Sequence, residues 1–360
     1  MPYSITVKKT EGKPGQVWYP LQLNEVPKPA PGPGQLLIKL SAAALNHRDL
    51  FIRQHLYPAI SFTSPFLADG YGTVVESGPN TSPSLHSKHI LLLPHRGWES
   101  DPSGPEDPRK YGIIGSSAGY DLGTAQEYIV VDEDEVVLAP EHLTPAEGAA
   151  LPLVGVTAWR ALVTKSGAAQ RESNILITGI GGGVALQTLQ FAVAMGCNVW
   201  VTSGSQEKID KAVQMGAKGG VSYKDADWEK QLGKMLPKEK PLLDAVIDGT
   251  GGDVVNRTVR VLKNGGVIVC YGMTLGPKME WNVQAMLKNV ELKGSTMGSK
   301  KEFREMAEFV REKGVRPVVS RVVRGLDNLE GIEGLFEDMK GGRQFGKLVV
   351  VMEREGSPKL

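Results

Sequence analysis

The first 145 residues alternate short apolar or β-branched runs with turn residues. Residues 5–8, 36–40, 72–77, 125–131 and 136–138 read as strands, and Pro/Gly clusters such as 27–34 interrupt them. Residues 94–120, rich in Gly, Pro, Ser and Asp, read as a long loop, a kind that often carries function in compact domains. The texture changes near residue 145. Thr144 followed by Pro145 is an N-cap with proline at the first helical position, so a helix opens there, and a second is expected over 156–163. From residue 174 strands (174–178, 198–202, Val221, 242–248, 266–271, 291–295) alternate with helices (to Met195, 207–215, 228–235, up to Leu262, 282–288). These strands carry few polar residues, as strands buried on both faces do. The alternation predicts a doubly wound α/β domain with a parallel sheet. After residue 300, Phe303, Met306, Phe309 and Val310 mark an amphipathic helix. Strands at 318–323 and 348–351 are expected to return to the first domain. The division is therefore a mainly-β domain over 1–145 and 300–360, split by a domain over 146–299.

Composition narrows the function class. The 360 residues hold 41 Lys and Arg against 40 Asp and Glu, a net charge of +1, so there is no electrostatic footprint for nucleic acid or an anionic membrane. No apolar run approaches the ~20 residues that span a bilayer. With only Cys197 and Cys270, neither a disulfide framework nor a cysteine-rich zinc site can be built. Residues 1–6 lack the basic and apolar regions of a signal peptide, so a cytoplasmic protein is expected. The C-terminal Pro358-Lys359-Leu360 differs by one residue from a Ser-Lys-Leu address, which makes the peroxisome the alternative.

The strongest motif is Gly179-Ile180-Gly181-Gly182-Gly183-Val184-Ala185, placed after the apolar strand 174–178 and opening a helix. Glycines there let backbone N–H groups and the positive helix end approach a pyrophosphate, which is the Rossmann dinucleotide site. The next strand runs into Thr202-Ser203-Gly204-Ser205-Gln206, with no carboxylate before Glu207 and with Lys208 following. A carboxylate would repel a ribose 2′-phosphate; Ser203, Ser205 and Lys208 would instead donate to it, so NADP(H) is expected.

Ala43-Ala44-Leu45-Asn46-His47-Arg48-Asp49, the run 149–159, the glycine loop and the closing Phe345-Gly346-Lys347-Leu348-Val349 together resemble the medium-chain dehydrogenase/reductase superfamily, in its zinc-free quinone oxidoreductase and enoyl reductase branch. The resemblance implies a GroES-like catalytic domain around an inserted Rossmann domain, a cofactor in the cleft between them, and a homodimer. It implies Thr157, Tyr223, Lys347 and Tyr271-Gly272-Met273 as further cofactor contacts. Zinc members of the superfamily carry cysteine at the position of Asn46, a His-Glu pair near 69–71 and a second cysteine near Val154; none of these is present, so no zinc is expected. His86, His89 and His95 are irregularly spaced in a polar stretch and read as surface residues.

Hydride transfer belongs to the nicotinamide, and the protein supplies orientation, polarisation and a proton. Tyr57 stands where enoyl reductases of this branch carry a tyrosine implicated as proton donor. Asn46 is a candidate donor to a substrate oxygen, and Asp49 a candidate orienting group. The reading is an NADPH-dependent, zinc-independent reductase of an activated C=C bond or a quinone. The alternatives are a catalytically idle NADPH-binding protein with a structural or RNA-binding role and, more remotely, a zinc-type alcohol dehydrogenase.

Overall fold

β-branched and apolar positions set up the first sheet edges: β1 (Tyr3–Val7) and β2 (Leu21–Glu25) pair antiparallel, and β3 (Gln35–Ala44) becomes the strand on which this part of the molecule is assembled. The computed structural model describes residues 1–276 and 278–353, so the tripeptide at 358–360 lies outside the described residues. The chain forms two units: Met1–Leu153 with the segment from Ser299, and Val154–Gly298.

In the first unit, β3 is followed by α1 (His47–Arg53), β4 (Asp69–Ser77), β5 (His89–Leu92), the short pair β6 (His95–Arg96) and β7 (Gly112–Ile113), β8 (Tyr128–Asp132), β9 (Val136–Leu138) and α2 (Pro145–Ala149). Thr144 caps α2 as expected, its side chain accepting from the Glu147 N–H. The two-residue period of β3 sends Leu36, Ile38 and Leu40 into one core, where they meet Val74, Ile90, Leu92, Ile129 and Val131.

The second unit starts inside α3 (Pro152–Trp159) and then runs β10 (Asn174–Ile177), α4 (Gly183–Ala194), β11 (Asn198–Ser203), α5 (Gln206–Gln214), β12 (Gly219–Ser222), α6 (Trp228–Met235), β13 (Leu243–Asp248), α7 (Val254–Thr258), β14 (Leu262–Cys270), α8 (Val283–Leu287) and β15 (Glu291–Gly294). Its six strands are all parallel in the order β12-β11-β10-β13-β14-β15, the doubly wound arrangement. One expectation is corrected here. Leu262 ends no helix: α7 stops at Thr258, and Leu262 already pairs with Leu243 at the start of a strand.

The chain then returns through α9 (Lys300–Lys313), β16 (Val319–Arg324), α10 (Leu329–Lys340) and β17 (Lys347–Val351). β17 lies antiparallel on the end of β3, Val349 to Val351 opposite Ala44 to Ala42, which completes a seven-stranded sheet. The sequence pattern assigns no element to residues 329–340, which form α10. Ile332, Leu335, Phe336 and Met339 recur there at helical spacing, bury in the first core, and follow an Asn328 cap that accepts from Gly331 N–H.

Candidate active site

α1 begins directly after β3, with Asn46 at the N-cap and its N–H donated to the Asp49 carboxylate at 2.7 Å. Asp49 is fully buried. Burial raises its pKa to about 6, against the lowering effect of the neighbouring Arg48 cation. Beside it lies Lys347, the first residue of β17, buried to 4% exposure. Its ammonium donates to Leu45 O at 2.6 Å, Asn46 Oδ1 at 2.6 Å and Asp69 Oδ2 at 2.8 Å. Asn46 Nδ2 also donates to Asp69 Oδ2 at 2.8 Å, and the other Asp69 oxygen takes Leu153 N–H at 2.7 Å. The β3–β17 and β3–β4 pairings thus bring residues 46, 69 and 347 into one closed network. All three Lys347 protons go to acceptors inside the unit.

Tyr57 sits half-buried on the loop after α1, against the first core. The Arg48 guanidinium carbon lies over its ring, 4.9 Å from the centroid. The flanking residues His55 and Ala59 hold positive φ of 55° and 51°, conformations that side chains rarely adopt and that concentrate at functional sites.

In the second unit β10 ends in the glycine loop. Gly179 (φ 64°) and Gly181 (φ 121°) occupy the left-handed region, and a Cβ on Gly181 would come within 2.9 Å of Lys208 Cδ. Gly182 is the N-cap and Gly183 and Val184 open α4, whose first N–H groups end at this loop. The loop is tied down by Gly179 N–H to Thr202 Oγ1 at 3.1 Å and Ile180 N–H to Thr202 O at 2.8 Å. This is a cradle that only missing side chains leave open, and it fits a dinucleotide pyrophosphate.

Lys208, on α5, is carried across Gly181. Burial there lowers its pKa from the usual lysine range. Ser203 closes β11, and its hydroxyl accepts from Ser205 N–H at 3.2 Å. Tyr223 and Lys224 follow β12, and both reach back to Gly204: a Cβ at 204 would lie 2.5 Å from Tyr223 Oη and 2.9 Å from Lys224 Cε. Lys224 was not singled out from the sequence, because it is distant in sequence from the turn that it approaches. The β11–β12 pairing, Ser203 opposite Ser222, brings it there. At the other end of the sheet, Tyr271 N–H bonds Asp248 O at 2.8 Å and Gly272 O accepts from Cys270 Sγ at 3.1 Å. Burial, with Asp248 nearby, pushes the Tyr271 pKa up. Met273 is half-exposed, and Thr157 is buried with its hydroxyl against Met297 Sδ at 3.8 Å.

Residues 32–141 match the family model of the alcohol dehydrogenase GroES-like domain, and residues 183–312 match that of zinc-binding dehydrogenase. A zinc-type alcohol dehydrogenase-like protein, YogA, of Leptosphaeria maculans is 60% identical over 97% of this chain and 99% of its own. The chain belongs to the medium-chain dehydrogenase/reductase superfamily. It is an NAD(P)H-dependent oxidoreductase of that superfamily. An acryloyl-coenzyme A reductase of Sulfurisphaera tokodaii is 27% identical over 91% of this chain and 96% of its own. The solved structure of an NAD-dependent alcohol dehydrogenase aligns with a TM-score of 0.83 at 28% identity, covering 98% of this chain and 99% of that one.

Members of the superfamily that carry a catalytic zinc need thiolate, imidazole or carboxylate ligands with an open coordination position. The residues here do not fit one. Asn46 presents an amide whose oxygen already accepts from Lys347, and both Asp69 oxygens accept hydrogen bonds. Val154 is a buried aliphatic residue. Among the described residues no group of three or more His, Cys, Asp and Glu stands close enough to hold a metal. His95 is corrected as well: it is not a surface residue but fully buried, packed on Tyr111 (5.6 Å) and Trp98 (6.2 Å). His86 and His89 are exposed.

Proposed function

We propose that this oxidoreductase is an NADPH-dependent, zinc-independent reductase of an activated C=C bond or a quinone. The observation that carries the proposal is the Lys347 ammonium bound between Asn46 and Asp69, a fixed cation in the network that elsewhere in the superfamily is built for a metal. Lys208, Ser203, Ser205, Tyr223 and Lys224 surround a turn without a carboxylate and would hold the ribose 2′-phosphate. Gly179, Gly181, Gly182, Gly183 and Val184 would hold the pyrophosphate, with Thr157 and 271–273 toward the nicotinamide. The nicotinamide supplies the hydride. Placed on the β-carbon of an enone or enoyl thioester, it leaves an enolate, and Tyr57 is the group that would return a proton to the α-carbon. The acryloyl-coenzyme A reductase relative supports this substrate class.

NADPH oxidation by the purified enzyme is the test, with a 2-alkenal, an enoyl-coenzyme A thioester and a benzoquinone, each with and without a chelator. Turnover that survives the chelator is expected. Turnover of simple alcohols with NAD, lost on chelation and restored by zinc, would overturn the reading. Tyr57→Phe is expected to cut kcat for the alkenal by ~10²–10⁴-fold while changing quinone turnover far less, because a hydroquinone anion takes its proton from water.

A further inference from the structure

Arg48 donates to none of Asn46, Asp69 and Lys347, yet it is 7% exposed and held from two sides. One Nη donates to Ile114 O at 3.0 Å and to the Asp49 carboxylate at 3.3 Å; the other donates to Gly115 O at 3.1 Å. Its Nε is buried with no hydrogen-bond partner. A guanidinium placed by hydrogen bonding alone would satisfy that proton. This one instead lies where its carbon sits 4.9 Å from the centre of the Tyr57 ring. The ring in turn belongs to a loop fixed to the same segment that holds Arg48. Ala118 N–H bonds Ala59 O at 2.8 Å, Ser61 N–H bonds Ser116 O at 2.9 Å, and Ile60 bridges to Ser117. Arg48 and the Tyr57 loop therefore share one support, residues 114–118.

We propose that Arg48 is a positioning residue for Tyr57. It holds the ring by cation–π contact and places a fixed positive charge against the phenol that gives up its proton. This rests on the reading of Tyr57 as proton donor. In that step the Oη–H bond breaks and the Cα–H bond of the reduced substrate forms. The electron pair stays on Oη as phenolate until water reprotonates it. A cation against the ring face attracts the negative charge that builds on the ring in the transition state, so it acts on the step in which the proton is transferred. Lysine could keep the charge but not the flat face or the forked grip on two carbonyls.

The experiment compares Arg48→Met and Arg48→Lys, each alone and combined with Tyr57→Phe, using the alkenal or enoyl thioester that turns over fastest. Arg48→Met is expected to lower kcat about 10- to 30-fold with the NADPH dissociation constant unchanged and a larger solvent isotope effect on kcat. Arg48→Lys should recover part of the loss, and it also serves if the methionine variant fails to fold. In the Tyr57→Phe background neither change should lower kcat further by more than about twofold, since residues that act as a unit are non-additive. If Tyr57→Phe itself leaves enoyl turnover intact, the reading of Tyr57 fails and this inference falls with it. If Tyr57→Phe is damaging but the Arg48 losses multiply with it, Arg48 serves only to hold residues 114 and 115, and the inference alone is overturned.

Discussion

The Lys347 ammonium donates to the Asp69 carboxylate at 2.8 Å, with Lys347 only 4% exposed and Asp69 fully buried. The pair ties the first residue of the last strand to the first residue of β4, across the end of β3. Removing one member leaves the other as an unpaired charge in the interior. Lys347→Met is expected to destabilise the enzyme by about 3–5 kcal/mol, whereas the double variant Lys347→Met/Asp69→Leu should recover much of that loss. Denaturant unfolding of the three proteins checks it. Adding zinc to either variant should restore neither stability nor activity, since a thiolate or imidazole set is still missing.

Cofactor choice should follow Lys208 and Lys224 together. Each alanine substitution should weaken NADPH by about 1.5–3 kcal/mol, the value of a hydrogen bond to a charged group, with little change for NADH. Fluorescence titration with both cofactors measures the difference. Equal losses for NADH and NADPH at Lys208 would mean that it serves the pyrophosphate instead, which its passage over Gly181 would also permit.

Asp49 has a pKa of about 6 in the folded enzyme, raised by burial above its unfolded value. The folded state therefore binds more proton than the unfolded state between about pH 4 and pH 6, and this residue's contribution to stability falls as pH rises through that window. Two pKa units correspond to roughly 2–3 kcal/mol. Asp49→Asn should remove that slope, so its stability relative to the parent enzyme should be higher at pH 7 than at pH 4 by an amount of that order. Urea midpoints at the two pH values test the sign. A relative stability that does not change with pH would show that Asp49 is paired well enough by Arg48 and Lys347 to titrate normally.

β15 ends the parallel sheet and pairs only with β14 among the described residues. Nearby, Trp281, Val283, Met286, Leu287 and Leu292 are 41–71% exposed. An unpaired strand edge beside exposed apolar side chains is suited to a second copy of this chain joined edge to edge. Sedimentation equilibrium is expected to give a dimer. Leu292→Lys combined with Met286→Asp should shift it to monomer by at least tenfold in dissociation constant. A monomeric parent enzyme at micromolar concentration would remove the proposal.

The second unit was largely legible in the chain because its signals are local. The cores of the strands, such as 175–177 and 245–247, are apolar throughout, the glycine loop announces the first turn, and Trp228–Met235 forms the helix that its spacing predicts. A run of this kind depends on residues within one or two turns of each other. Where the local signal is ambiguous the reading differs from the structure: the pattern carries a helix up to Leu262, just before Gly265 and Gly266, but pairing with β13 draws Leu262 into a strand. The acid–base and cation candidates of the first unit were legible as residue types but not as partners. Asn46, Asp69 and Lys347 are 23 to 301 residues apart, and only the antiparallel pairing of β3 with β4 and β17 brings them within hydrogen-bond reach. Lys224 likewise reaches Gly204 only through the parallel pairing of β11 with β12. Periodicity and turn chemistry determine which elements form, since they act over a few residues. Which buried charge meets which acceptor is decided by strand register, because a shift of one residue would turn Asp69 to the opposite face and leave Lys347 buried without its carboxylate.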